Sequence, residues 1–286
     1  MTLVQRLTAL GGGIRRLDRL SLFGLVMLCL LIALGLLGPW LPLGDPSRIG
    51  AGARLGAPTW AFPFGTDELG RSFLPRVVDG IRATFLLSAI AVMITAVVGT
   101  FLGMLAGYFR GLSDHLVARG ADILFAFPAL VAGLLVAAVM GPGQISAIAV
   151  ICIATLPLFI RVVRSVTLSI AGREFITAAR VAGASPWRIM AIHILPNITG
   201  SVVVQLTYAL SIGMIIESAL SFLGLGVQPP DASLGSLLRQ GSAYLTIAPW
   251  LAFSAGIVLS LAIMSVNLVG DAIRDGLEPL KGRPLT

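Results

Sequence analysis

Six stretches of this chain, residues 22–43, 84–108, 121–140, 145–163, 198–217 and 249–269, run for about twenty residues each with almost no charge. A helix needs about 20 consecutive apolar residues to cross a bilayer, and inside hydrocarbon it satisfies its own backbone hydrogen bonds. The runs therefore predict an all-α, polytopic membrane protein with six transmembrane helices. Composition agrees: 12% of the residues are charged, against about 25% in a soluble domain, and 57% are hydrophobic. The net charge of +7 does not call for nucleic acid, because a membrane protein keeps its basic excess in its cytoplasmic segments. Cys29 and Cys152 each sit inside an apolar run and read as small buried residues, with neither a disulfide framework nor a metal spacing.

Arginine placement orients the spans. The first run follows Arg6, Arg15, Arg16 and Arg19, as a signal peptide would, but it is too long for one and lacks a small-residue cleavage site. It reads as a retained span. With six spans and the N-terminus inside, the inner segments hold 14 basic residues and the outer segments 6. That bias predicts both termini in the cytoplasm, with localisation in a bacterial inner membrane. The expected organisation is a cytoplasmic segment 1–20, a first span 21–43 and an external loop 44–83. A permease-like core 84–271, with a polar loop at 172–195, and a cytoplasmic tail 272–286 follow.

Three features inside or beside the spans carry structural expectations. Gly99, Gly103 and Gly107 form a small-xxx-small ladder on one face, a pattern that lets helix backbones approach closely in lipid; it reads as a packing face, or as a subunit interface. In and after the external loop Phe73, Val77, Ile81 and Phe85 recur every fourth residue beside Arg71, Arg76 and Arg82, which reads as a helix lying along the membrane interface or as a simple interfacial lead-in to the second span. Asp122 and Asp271 fall at span ends near Arg119 and Arg274, where interfacial pairing is expected. Glu217 ends an apolar span. It is either a wetted or hydrogen-bonded structural carboxylate, or one that lines a pathway or stabilises a gate.

The polar stretch "EFITAARVAGASPWRIMAIHILPN", residues 174–197, interrupts this pattern. At 100° per residue Glu174, Thr177 and Arg180 share one face, and Phe175, Ala178, Ala179 and Ala182 the opposite one. The helix stops at Gly183, a residue suited to positive φ. Ser185 then caps a second helix with Pro186 at its first position. A DNA-binding helix-turn-helix has similar spacing, but the insert lies between two spans with no third helix to complete a core. A short helix with one small-residue face suits docking into a groove of a soluble partner. A purely structural hairpin is the alternative.

At these residues the chain resembles the ABC importer permeases. Thr177-Ala178-Ala179, Gly183 and Leu195-Pro196 look like that family's EAA loop, with Thr177 where Glu is usual and His193 where Ile is usual. His193–Asn197 reads like the peptide-transporter branch. "FGTDELGRSFLPRVVDGIRATF" (64–85), "ESALSFLGLGVQPPDASLG" (217–235) and "NLVGDAIRDGLEP" (267–279) are similar, in order and spacing, to the second permease subunit of dipeptide, oligopeptide and nickel importers; Ser72 stands where Asp is usual.

The resemblance implies the type I ABC importer fold. It also implies that Glu174, Thr177, Ala178, Ala179, Arg180, Gly183, Ala184, Ser185 and Pro186 form the coupling helix and its turn. The implied partners are a homologous second permease, two cytoplasmic ATP-binding subunits that use ATP and Mg, an external substrate-binding protein and the lipid bilayer. The cargo would be di- or oligopeptides, with nickel, glutathione-like or other small solutes as the alternative. No cofactor, metal, catalytic residue or nucleic acid is expected of this chain. Its one lysine, Lys281, precedes Gly282 and so cannot complete a P-loop, and His115 and His193 are too far apart in sequence for a His-x3-His site. An ion-coupled carrier would show mid-span carboxylates, and a membrane enzyme a catalytic cluster; neither is visible.

Overall fold

The computed structural model describes residues 18–277. Arg6, Arg15, Arg16, Lys281 and the last two residues of the 267–279 motif lie outside the described residues. Among those described, every regular element is helical, apart from one bridge between Thr66 and Ser72. Helix α1 (Arg19–Leu37) starts where the Asp18 carboxylate accepts the Arg19 amide at 2.8 Å. It ends in the tight turn Gly38–Trp40, where Pro39 has no amide to extend the ladder. Residues 44–72 form a loop that leads into α2 (Phe73–Phe109).

Helix α2 is a single helix of 37 residues, about 55 Å long at 1.5 Å per residue. A hydrocarbon layer is about 30 Å thick, so part of α2 must stand outside it. Residues 73–83 are thus the first turns of the helix that carries the second span, the lead-in of the two alternatives, and not a separate helix along the interface. Pro75 falls in the first turn, where its missing amide breaks nothing, and no other residue interrupts the ladder. Phe73, Val77 and Ile81 pack against Leu234, Leu237 and Leu251 rather than facing lipid.

The third apolar run is not a straight span. It divides into α3 (Gly111–Phe125) and α4 (Ala129–Met140), bent by 87° at the break. Pro128 forces this, because its ring disfavours helical backbone at Phe127, and Pro128 itself is extended with ψ 134°. Helix α5 (Gln144–Ala171) follows, then α6 (Glu174–Val181). A short turn Pro186–Arg188 and a wide π turn Ile189–Ile194 lead directly into α7 (Leu195–Phe222). The widened turn accommodates Pro196, whose ring would otherwise strike a carbonyl of the preceding turn. The second half of the polar insert is therefore the start of the next span, one continuous stretch Pro186–Phe222. Helices α8 (Leu234–Ala243) and α9 (Pro249–Leu277) complete the described residues. Among the described residues, five helices are long and apolar enough to cross a bilayer, six spans if the bent pair counts as one.

Glycine lets α2 and α5 pack backbone against side chain. A Cβ on Gly99, Gly103 or Gly107 would lie 2.6 Å from Phe159 Cβ, 2.7 Å from Val163 Cβ or 2.7 Å from Thr167 Cβ. The ladder on α2 thus receives every fourth residue of α5, within this chain. Large apolar side chains such as Val26, Val97 and Val139 are exposed on the bundle's outside, as a lipid-facing surface requires. The long α2 has the 44–72 loop and α8 at its first end and α6 at its last; we call these the loop end and the α6 end.

Candidate functional site

At the α6 end, the sequence builds a projecting helix with a fixed turn. Gly183 has φ +80°, and the Gly183 and Ala184 amides donate back to the Arg180 and Ala179 carbonyls, each at 3.0 Å. These two bonds close the helix as a Schellman motif, which needs a left-handed residue at that point. Ser185 Oγ accepts the Arg188 amide at 3.4 Å, and Pro186 occupies the first position of the next turn. Glu174 sits in the first turn of α6 and Arg180 in the last, the signs that complement a helix dipole.

Two faces of α6 differ sharply. Ile176 is fully buried, and Ala179 and Ala184 pack beside it on the bundle core. Ala179 therefore faces this chain and not outward, unlike the grouping its helical angle implied. Phe175, Ala178, Val181 and Ala182 stay exposed, with Val181 at 85%. Glu174, Thr177, Gly183, Ser185 and Pro186 are exposed as well. Arg180 lies over the Tyr108 ring, 5.0 Å from its centroid, a cation–π contact. Trp187 meets Phe101 and Phe109 at centroid distances of 6.4 and 6.0 Å. The insert is thus clamped to the last turns of α2 while one small, apolar face remains free.

The loop end is held by two buried carboxylates. Asp67 is fully buried and accepts the Leu69 and Arg71 amides at 2.9 Å, Arg71 Nε at 2.7 Å and Arg76 Nη1 at 2.5 Å. Arg76 also donates to Gln240 Oε1 at 3.1 Å, linking the loop to α8. Burial raises the Asp67 carboxyl, but the Arg71 and Leu69 hydrogen bonds and the Arg71 charge together hold it below its usual range. Gly65 and Gly70, both at positive φ, bring the loop backbone against Gly56 and Gly52, where a Cβ would lie 2.5 Å from a carbonyl oxygen.

The second carboxylate, Glu217, lies within α7 and is also fully buried. It accepts Ser221 Oγ at 2.7 Å and Thr84 Oγ1 at 2.9 Å, while Thr84 Oγ1 accepts the Leu234 amide at 3.1 Å. One carboxylate thus joins α7, α2 and the start of α8. Within this chain Glu217 is a hydrogen-bonded junction with no exposed surface.

Residues 99–283 match the family described as binding-protein-dependent transport system inner membrane component. The chain belongs to that family. This permease is 36% identical to the di/tripeptide transport system permease protein DppC of Pseudomonas aeruginosa, over 91% of this chain and 88% of that one. It is 32% identical to the dipeptide transport system permease protein DppC of Haemophilus influenzae, over 92% and 91%. The glutathione transport system permease protein GsiD of Pectobacterium atrosepticum is 36% identical over 78% and 74%. The fold is shared with an inward-facing structure of the MetNI methionine ABC transporter, at TM-score 0.60 and 19% identity, covering 72% of this chain and 98% of that one. The permease is accordingly a multi-pass ABC importer subunit of the inner membrane with the type I fold.

Within this permease the family match takes in the glycine ladder, α6 and Glu217. The Asp67 junction lies before it. Two pairings were not readable from neighbours in sequence: Asp122 pairs with Arg161 at 2.8 Å rather than with Arg119, and Asp271 accepts Tyr208 Oη at 2.8 Å. Arg164 pairs with Asp114 in the same region. Gln240 was missed altogether, and the Asp67–Arg76–Gln240 link it completes was not anticipated although Asp67 and Arg76 lie in the 64–85 motif. The signal for that link was Asp67 two residues after Gly65, in a loop that also holds Arg48, Arg54 and Arg71.

Proposed function

We propose that this permease forms, with a homologous second permease, the translocation path for di- or oligopeptides handed over by an external binding protein. Two ATP-binding subunits dock at the α6 end and supply the energy; this chain holds no ATP. The N- and C-termini then face the cytoplasm, and the 44–72 loop faces outward toward the binding protein. The peptide cargo is carried over from the relatives' names. Glutathione, itself a tripeptide, is the second reading, supported by the similarity to GsiD.

The observation that carries the coupling role is the two-faced α6. Its exposed residues, Phe175, Ala178, Val181 and Ala182, offer a partner a small apolar ridge. Its other contacts transmit force: Arg180 and Trp187 grip the end of α2, and the Pro186–Phe222 stretch is continuous with α7. A push on α6 therefore reaches two long helices at once. Those helices meet again at the loop end through Thr84 and Glu217. ATP binding that draws two such ridges together would bias the bundle between its two access states.

The test is peptide-stimulated ATP hydrolysis by the purified assembly, reconstituted in lipid with its binding protein. Val181→Asp and Ala178→Trp alter the exposed ridge without touching Ile176 or Ala179. Either is expected to lower stimulated hydrolysis about tenfold or more, the loss of a hot spot of roughly 1.4 kcal/mol or more, or to release the ATP-binding subunits. Parent-like hydrolysis and transport by both variants would make the insert a structural hairpin. Uptake of radiolabelled dipeptides, competed by tripeptides and glutathione, decides the cargo.

A further inference from the structure

A charged cleft and an apolar groove meet on the outside of α2, away from the α6 ridge and beside the Asp67 junction, with which the cleft shares Arg76. The groove, about 380 Å³, runs between Leu28, Leu31, Ile32 and Leu36 of α1 and Phe85 and Leu86 of α2. The cleft, about 410 Å³, lies beside it and is lined by Asp79, Arg82, Asp231 and Arg76, the last of these held by Asp67. Arg82 and Leu86 line both, so one opens into the other. Asp79 and Arg82 stand one helical turn apart, yet neither makes a hydrogen bond or ion pair among the described residues. Asp231 has one partner, Gln144 Nε2 at 3.2 Å.

The depth of this junction is fixed by α1. A Cβ on Gly35 would lie 3.4 Å from the Arg82 backbone, so Arg82 is level with the last turn of α1. The apolar run of α1 ends at Trp40, which is 80% exposed. Exposed tryptophan marks the level of lipid headgroups. The groove therefore extends into the hydrocarbon layer, and the charges lie at the headgroup level, where a guanidinium can take a lipid phosphate through charge-assisted hydrogen bonds.

We propose that this junction is a binding site for phosphatidylethanolamine. One acyl chain fills the groove, the phosphate meets Arg82, and the primary ammonium sits between Asp79 and Asp231. The charge pattern selects the headgroup: Arg76 is already bound to Asp67, so Asp79 and Asp231 face Arg82, the one guanidinium there without an ion pair, and together oppose an anionic lipid. A primary ammonium brings three N–H donors to them, whereas the quaternary ammonium of phosphatidylcholine brings none. Such a lipid ties α1 to α2 and to the loop before α8.

The experiment uses the complete importer in vesicles of phosphatidylcholine and phosphatidylglycerol, doped with phosphatidylethanolamine carrying a diazirine in its acyl chain. After photolysis, label is expected on the α1 and α2 peptides that line the groove. Unlabelled phosphatidylethanolamine should compete at least about tenfold better than phosphatidylcholine, equivalent to one factor of ten in affinity. The double variant Asp79→Asn/Asp231→Asn should lose that preference while still taking label from a phosphatidylcholine probe. Equal competition by the two lipids, meaning ordinary solvating lipid, would overturn the proposal. So would a groove that takes no label because a helix of the second permease covers it. The competition needs no variant, so it decides the matter even if the double substitution hinders assembly.

Discussion

Asp67 illustrates how much one side chain settles at the loop end. It receives two amides and two guanidinium groups while fully buried, so removing its charge leaves Arg76 buried with too few partners. Asp67→Asn is expected to cost about 3–5 kcal/mol, as for other broken buried pairs, read as a fall in the melting temperature of the purified assembly. The pH dependence has a definite sign. A carboxyl held below its unfolded value of about 3.9 gives stability that is fully present above that value and is lost as pH falls through the lower native one. The Asn variant should lack that acid limb; an unchanged acid profile would assign it to other groups. Glu217 behaves differently because its partners are hydroxyls. Glu217→Gln keeps an acceptor for Thr84 and Ser221 and should fold, whereas Glu217→Leu strands those hydroxyls and should lose about 1–3 kcal/mol. If Gln and Leu are equally damaging in thermal melts, the charge itself matters and a pathway role returns. Neither junction was legible from sequence, since Thr84 is separated from Glu217 by 133 positions and Arg76 from Gln240 by 164.

At the scale of elements, apolar run length located the spans but not their ends. Hydrophobicity marks where a chain is comfortable in lipid, and α2 continues well beyond that zone because no residue between Pro75 and Phe109 stops it. The bend between α3 and α4 had its signal in Phe127-Pro128, which a count of apolar residues passes over. The 174–186 insert was legible almost whole, because Gly183, Ser185 and Pro186 each prescribe a local backbone state. What it lacked was the direction of Ala179, which depends on where the core lies. The glycine ladder was legible as a packing face, though not its partner. Gly103 faces Val163 Cβ and the Ile160 carbonyl, with a Cβ position 2.7 and 3.0 Å from them. Backbone on that side gives no room, so Gly103→Ala should cost about 1–3 kcal/mol through overpacking, and Gly103→Leu should abolish assembly. The check is the yield and melting temperature of the purified importer; a parent-like Gly103→Leu would mean that α2 and α5 are not in contact in the assembled state.

The whole molecule is two clamps on one pair of long helices, with α6 and its aromatics at one end and the Thr84–Glu217 link at the other. That arrangement has a use only if the two ends lie on opposite sides of the membrane, which makes orientation the property to measure. In a background with Cys29 and Cys152 replaced by alanine, single cysteines at Trp60 and Val181 give one reporter per end, both on side chains that are highly exposed. A maleimide that cannot cross membranes should label Trp60→Cys in spheroplasts, where the outer face is open to reagent. Val181→Cys should react only after permeabilisation, and its labelling should fall when the ATP-binding subunits are present, as docking on the ridge requires. The basic residues at the α6 end, among them Arg110, Arg161 and Arg180, supply the physical reason for this direction, since positively charged segments stay on the cytoplasmic side. Labelling of Val181→Cys in intact spheroplasts would reverse the orientation. It would also remove α6 from the reach of any cytoplasmic ATPase, and with it the coupling role, whatever the resemblance of the loop.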